Sequence, residues 1–196
     1  MDPDENARLA NLVGATALGI VDAIRGGVAA EVDLDTSAAA AMVALLDLAR
    51  DASVQTLSAL IGISHSGTVR LVDRLADADL VERRTGSDAR TNSLRLTRRG
   101  RTVALRLRAS RRAAIAAALE GLTDRQRRQL NEICQTVIAN ITRARLRIRA
   151  AGGQPSGGAL CRLCDPSACG RPDGQCPAAA VASHEANAES SSSTNY

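Results

Sequence analysis

The segment from Ser64 to Gly100, SHSGTVRLVDRLADADLVERRTGSDARTNSLRLTRRG, admits few folds. Ser64 carries a side chain that can cap a helix, and the residues after it put Val69, Leu71, Val72 and Leu75 on an apolar side. The same helix carries His65, Ser66, Thr68, Arg70 and Arg74. Leu80-Val81-Glu82-Arg83-Arg84 then reads as a strand, Thr85-Gly86-Ser87-Asp88 as a turn, and Ser93-Leu94-Arg95-Leu96 as the returning strand. Upstream, Gln55 to Ile61 predicts a short helix stopped by the tight turn Gly62-Ile63-Ser64. A short helix, a turn, a second helix and a hairpin make a winged helix-turn-helix. One helix can enter a DNA groove and the wing can grip beside it.

The rest of the chain reads as helix, so the fold class is mainly α with a small β-wing. Asp4 to about Ala30 predicts a first helix, with Leu9, Leu12, Val13, Ile20, Ile24 and Val28 on one stripe. Asp33-Leu34-Asp35-Thr36-Ser37 offers caps for an alanine-rich second helix reaching about Arg50. Thr97 begins an arginine-rich helix to about Leu119, and Gly121-Leu122-Thr123-Asp124 breaks it and caps the last one. There Leu130, Cys134, Val137, Ile141, Ala144 and Ile148 alternate spacings of four and three, as in a coiled-coil seam. Both terminal helices carry stripes too long for so small a core, which predicts dimerisation through the N- and C-terminal helices. The expected organisation is a winged-helix and dimerisation domain over 1–151, a Gly/Pro/Ser linker over 152–160, a cysteine-rich segment over 161–177 and a disordered tail over 178–196.

Charge and composition narrow the partner. Residues 1–51 hold nine acids against three arginines, whereas 70–112 hold thirteen arginines against five acids. A basic middle on a nearly balanced chain is the footprint of a nucleic-acid face. Phe and Trp are absent and Tyr196 is the single aromatic, so bases cannot be stacked as single-strand and RNA binders stack them. Duplex DNA is the favoured nucleic acid. No uninterrupted apolar run reaches the roughly 18 residues of a membrane span, so the expected location is the cytoplasm with no membrane partner.

The segment resembles the MarR family of bacterial transcription regulators. The carriers are Leu71-Val72-Asp73-Arg74-Leu75, Leu80-Val81-Glu82-Arg83, Asp88-Ala89-Arg90 and Leu96-Thr97-Arg98-Arg99-Gly100, in order. The resemblance spans about residues 5–150. It implies a homodimeric DNA-binding regulator, a repressor more often than an activator, that binds a pseudo-palindromic operator. It also implies a small-molecule effector in a cleft walled by the first, second and fifth helices. Asp88 and Arg90 match the family's Asp-x-Arg, in which the arginine enters the minor groove and the aspartate orients it. Asp79 stands where the family commonly has glycine at positive φ, a region that Asp tolerates better than most residues.

The candidate DNA-binding residues are therefore Ser64, His65, Ser66, Thr68, Arg70, Arg74, Arg83, Arg84, Asp88, Arg90 and Arg95. Arg70 is the best placed for a guanine edge. Arg74 suits a phosphate, or a brace between helix and wing. Ser64 also reads simply as a cap and His65 as a solvated helix-start residue, while Arg83, Arg84 and Arg95 read as phosphate contacts or plain surface.

Five cysteines remain. Cys134 on the seam reads as a small buried hydrophobe, with a redox-sensing thiol as the alternative. Cys161, Cys164, Cys169 and Cys176 form C-x2-C-x4-C-x6-C among turn formers. Four thiols so close favour a metal over disulfides in a cytoplasmic protein: zinc first, an iron–sulfur cluster second, a reducible thiol cluster or no ligand otherwise. The Cys161-x-x-Cys164 pair also raises a thiol–disulfide oxidoreductase, but no βαβ pattern surrounds it. The chain is expected not to be an enzyme.

Overall fold

The helix that organises the core opens on a run of small side chains. The computed structural model describes residues 2–31, 34–85 and 92–192, and in it α2 (Thr36–Asp47) is buried continuously from Ala38 to Leu46. Four successive alanines let neighbouring elements approach from every side, so α2 packs against α1 (Pro3–Glu31), α3 (Val54–Ile61), α5 (Arg98–Ala118) and the wing. Its N-cap is Asp35, whose carboxylate accepts from the Ala38 N–H at 2.8 Å. Its own Met42 and Leu46, with Leu57, Leu75, Leu94 and Leu107 of other elements, are the large side chains of the core.

The helix-turn-helix follows local rules. Ser53 caps α3, which ends at Gly62 in the left-handed region, φ 76°, with the Gly62 N–H on the Ser58 carbonyl. Ser64 then caps α4 (His65–Asp77) by accepting from the Gly67 N–H at 3.1 Å. The wing is an antiparallel pair, β1 (Val81–Thr85) and β2 (Asn92–Leu96), with Val81 opposite Leu96 and Arg83 opposite Leu94. Leu94 also donates to the Ala52 carbonyl at 2.9 Å, which ties the wing to the start of α3. Asp79 sits at φ 56°, as expected of a residue standing in for glycine.

Two units divide the chain: residues 1–120 with 159–163, and residues 121–158 with 164–196. In the first, α1 runs alongside α5, and Ile24 and Val28 reach the core. Leu9, Leu12, Val13 and Leu18 on α1 are exposed, Leu18 by 69%. The expectation of no span-length apolar segment needs correction. Pro3–Ala29 is long and apolar enough to cross a membrane by length and composition, because alanine and glycine dilute its few charges without forming one apolar run.

In the second unit, α6 (Asp124–Ala150) begins with a capping box between Thr123 and Gln126. Ile133, Val137, Ile141 and Ile148 on α6 are exposed. Cys134 is exposed too, which corrects its reading as a buried hydrophobe: the described chain buries little of α6 beyond Thr142.

The tail expected to be disordered instead forms α7 (Pro177–Ser192), packed on α6. Proline is well suited to a helix's first turn and alanine has the highest helix propensity, so the run Pro177-Ala178-Ala179-Ala180 favours helix despite its low complexity. The linker is also tied down, since the Arg145 guanidinium donates to the carbonyls of Ser156, Gly157 and Gly158.

Candidate nucleic-acid interface

Helix α4 owes its orientation to a sharp division between its faces. Leu71, Val72 and Leu75 lock one side into the core, and His65, Ser66 and Arg70 are left exposed on the other. Thr68 goes with the buried side. It is 0% exposed and its hydroxyl donates to the Ser64 carbonyl at 3.0 Å, so it is a structural residue and not a base reader. Ser64 is exposed, but its hydroxyl is engaged as the helix cap. Arg70 makes no hydrogen bond or ion pair with any described residue, so its five N–H donors are available.

Four other candidate arginines among the described residues are each held by a carboxylate. Arg74 donates to Asp35 at 2.9 Å, so it braces α4 against the N-terminus of α2 and not against the wing. Arg83 donates to Asp73 at 2.6 Å, and Arg84 to Glu82 at 2.8 Å. Arg95 grips Asp51 through both Nε and Nη2, each at 2.8 Å. Hydrogen bonding from Arg95 holds the Asp51 carboxyl below its ordinary pKa against a small desolvation, and Asp51 in turn raises the guanidinium. Asp51 is at φ 59°, immediately before the Ala52 carbonyl that anchors Leu94. These pairs are exposed, so they add little stability, but they fix where each guanidinium lies. Each keeps further N–H groups for a phosphate. Asp88 and Arg90 lie outside the described residues.

Behind the wing, Leu45, Leu46 and Leu96 with Arg50, Arg95 and Arg101 line an open cavity of about 200 Å³. Neither this cavity nor the partners Asp51, Asp73 and Glu82 were singled out from sequence. The readable signal was limited to the excess of arginine, since pairing across 44 residues, as for Asp51 and Arg95, leaves no local pattern.

The metal site expected of the cysteine segment finds no support among the described residues. No three His, Cys, Asp or Glu side chains among the described residues are arranged to hold an ion. The turns there are organised by other contacts. Asp165 accepts from the Ser167 and Ala168 N–H groups, and the Cys169 thiol points to the Pro166 carbonyl at 3.4 Å. Cys176 is buried.

Residues 32–91, which include α2, α3, α4 and β1, match the family model described as the MarR family. No curated protein matches the chain. Among solved structures, a MarR family protein from Bacillus stearothermophilus superposes with a TM-score of 0.63 at 22% identity, covering 72% of this chain and 99% of that one. RV1404 from Mycobacterium tuberculosis gives 0.59 at 26% identity, over 70% of this chain and 92% of its own. The M. tuberculosis MarR family protein Rv2887, solved in complex with DNA, gives 0.55 at 21% identity, over 66% and 96%. In the sequence of its helix-turn-helix and first wing strand, and in its fold, this chain is similar to the winged-helix proteins of the MarR family.

Proposed function

We propose that this chain is a cytoplasmic transcriptional regulator of the MarR type, a homodimer that binds duplex DNA and represses, and that it is not an enzyme. The observation that carries the reading is α4, where an exposed polar edge of His65, Ser66 and Arg70 stands on a helix locked from behind by Leu71, Val72 and Leu75. A helix held from behind that leaves Arg70 exposed suits a major-groove reader, since Arg pairs bidentately with guanine. Arg74, Arg83, Arg84 and Arg95 serve as phosphate contacts around it, with Arg90 as the minor-groove contact that the resemblance implies. Exposed apolar stripes on α1 and α6 support the homodimer, because water is a poor partner for that many large aliphatic side chains. Two copies would present their α4 helices to half-sites one helical turn apart, roughly 34 Å.

The cavity beside Arg50, Arg95 and Arg101 is our candidate for the signal. Rv2887 has been solved with salicylic acid, and here an anion with an apolar body would meet three guanidiniums and the side chains of Leu45, Leu46 and Leu96. It would compete with Asp51 for Arg95, and so act on β2 directly.

The test is selection of bound sequences from random duplex DNA, followed by affinity measurements across salt for the wild type and Arg70→Ala. An enriched pseudo-palindrome is expected, with Arg70→Ala weakening it by about 1–3 kcal/mol and relaxing preference at one base position. No enriched sequence, or one that Arg70→Ala binds equally well, would overturn the proposal.

A further inference from the structure

Within the C-terminal unit, α6 and α7 line a second, open cavity that the DNA reading does not use. Its volume, about 370 Å³, is the larger of the two cavities described and lies within the usual range of small-molecule pockets, about 300–1,000 Å³. Leu146 of α6 and Ala182 and Ala186 of α7 form apolar wall, and Arg143, Arg147 and Arg149 line it from α6. Glu185 is the one carboxylate in the lining.

Spacing explains how they converge. Positions 143, 146 and 147 share one face of α6, and 182, 185 and 186 share one face of α7. Alanine at 182 and 186 leaves the facing space empty, where larger residues would have filled it. Three guanidiniums against one carboxylate leave an excess of positive charge, and no ion pair joins Glu185 to any of them among the described residues. Arginine at 147 and 149 suits the C-terminal end of the α6 dipole. Arg143 is about two turns from that end, and its approach to Arg147 four residues on is repulsive, so the dipole does not account for it. An apolar wall ringed by cations that repel one another is satisfied by an anionic group on an apolar body.

We infer that the groove between α6 and α7 binds a small aromatic or alkyl anion, a carboxylate or sulfonate. Its charged group lies among Arg143, Arg147 and Arg149, and its body lies on Leu146, Ala182 and Ala186. Bound there, the ligand bridges both helices and fastens α7 to α6. The site is separate from the cavity beside the wing and stands whether or not the chain binds DNA.

The test is fluorescence titration of the full chain with anilinonaphthalene sulfonate, an aromatic sulfonate that brightens on leaving water. Ala182→Leu fills the groove without changing any charge. Arg143→Ala with Arg147→Ala removes charge while leaving the α7 side chains in place, which keeps the test valid should Ala182→Leu loosen the helix. Arg101→Ala reports on the other cavity. A site between α6 and α7 is expected beside any binding in the wing cavity; it weakens by about tenfold or more in the double arginine variant and in Ala182→Leu and persists in Arg101→Ala. Identical titrations for all proteins would assign the dye to the exposed apolar stripes and overturn the proposal, as would a loss confined to Arg101→Ala.

Discussion

Arg83 on β1 donates to the Asp73 carboxylate on α4 at 2.6 Å, so the first wing strand and the helix beside it are joined by a direct charge contact as well as through the core. Both side chains are more than a third exposed, 37% and 55%, which keeps the energy small. A double-mutant cycle of Arg83→Ala and Asp73→Ala, read by urea denaturation, should give a coupling of about 0.2–1 kcal/mol. A coupling above about 2 kcal/mol would mean that the contact supports packing as well as position.

Asp35 makes two contacts at once, capping α2 and holding Arg74. Burial pushes its carboxyl up, but the Arg74 hydrogen bond and charge and the Ala38 N–H outweigh burial, and its pKa lies below the ordinary value. A carboxyl lowered in the folded state stabilises the fold above its unfolded pKa, about 3.9, and loses that contribution as pH falls through the folded value. Asp35→Asn keeps a good cap and removes only the charge. Its stability deficit should therefore be present at neutral pH and vanish on acidification. Asp35→Ala also loses the cap and should cost about 1 kcal/mol more at neutral pH, in denaturation series run across pH.

Two backbone positions at the base of the wing should respond in opposite directions. A Cβ at Gly100 would fall on the Leu80 carbonyl, a backbone group that cannot turn aside. Gly100→Ala should cost more than about 2 kcal/mol, or prevent folding, as judged by thermal melting. At Asp79, φ 56° is strained for any residue with a Cβ, so Asp79→Gly should stabilise by up to about 1 kcal/mol. A destabilised Asp79→Gly would show that the Asp side chain has a use beyond tolerating the turn.

Element boundaries were legible wherever a local rule acts. Ser64 caps the helix it was expected to cap, the helix expected from Thr97 starts there with Thr97 as its cap, and Gly62 ends α3 in the left-handed region. These features depend on neighbours three or four residues away, so sequence contains them. The tail misled because serine-rich, alanine-rich composition signals disorder, while the helix propensity of alanine together with packing on α6 favours α7. Thr68 misled because its position near the start of α4 suggested a DNA contact, whereas its side chain turns to the Ser64 carbonyl and is buried.

The sequence by itself determined the order of helices and strands as far as α6, the caps, the basic middle and the pattern that resembles the MarR family, because periodicity and capping are short-range effects. Only the tertiary structure decided which carboxylate holds which arginine. Asp35 meets Arg74, Asp73 meets Arg83 and Asp51 meets Arg95, although the last two partners are 44 residues apart. It also decided that Thr68 is buried while Arg70, on the same helix, is exposed. Such choices depend on distances set by the packing of the whole core around α2, and no local pattern encodes them.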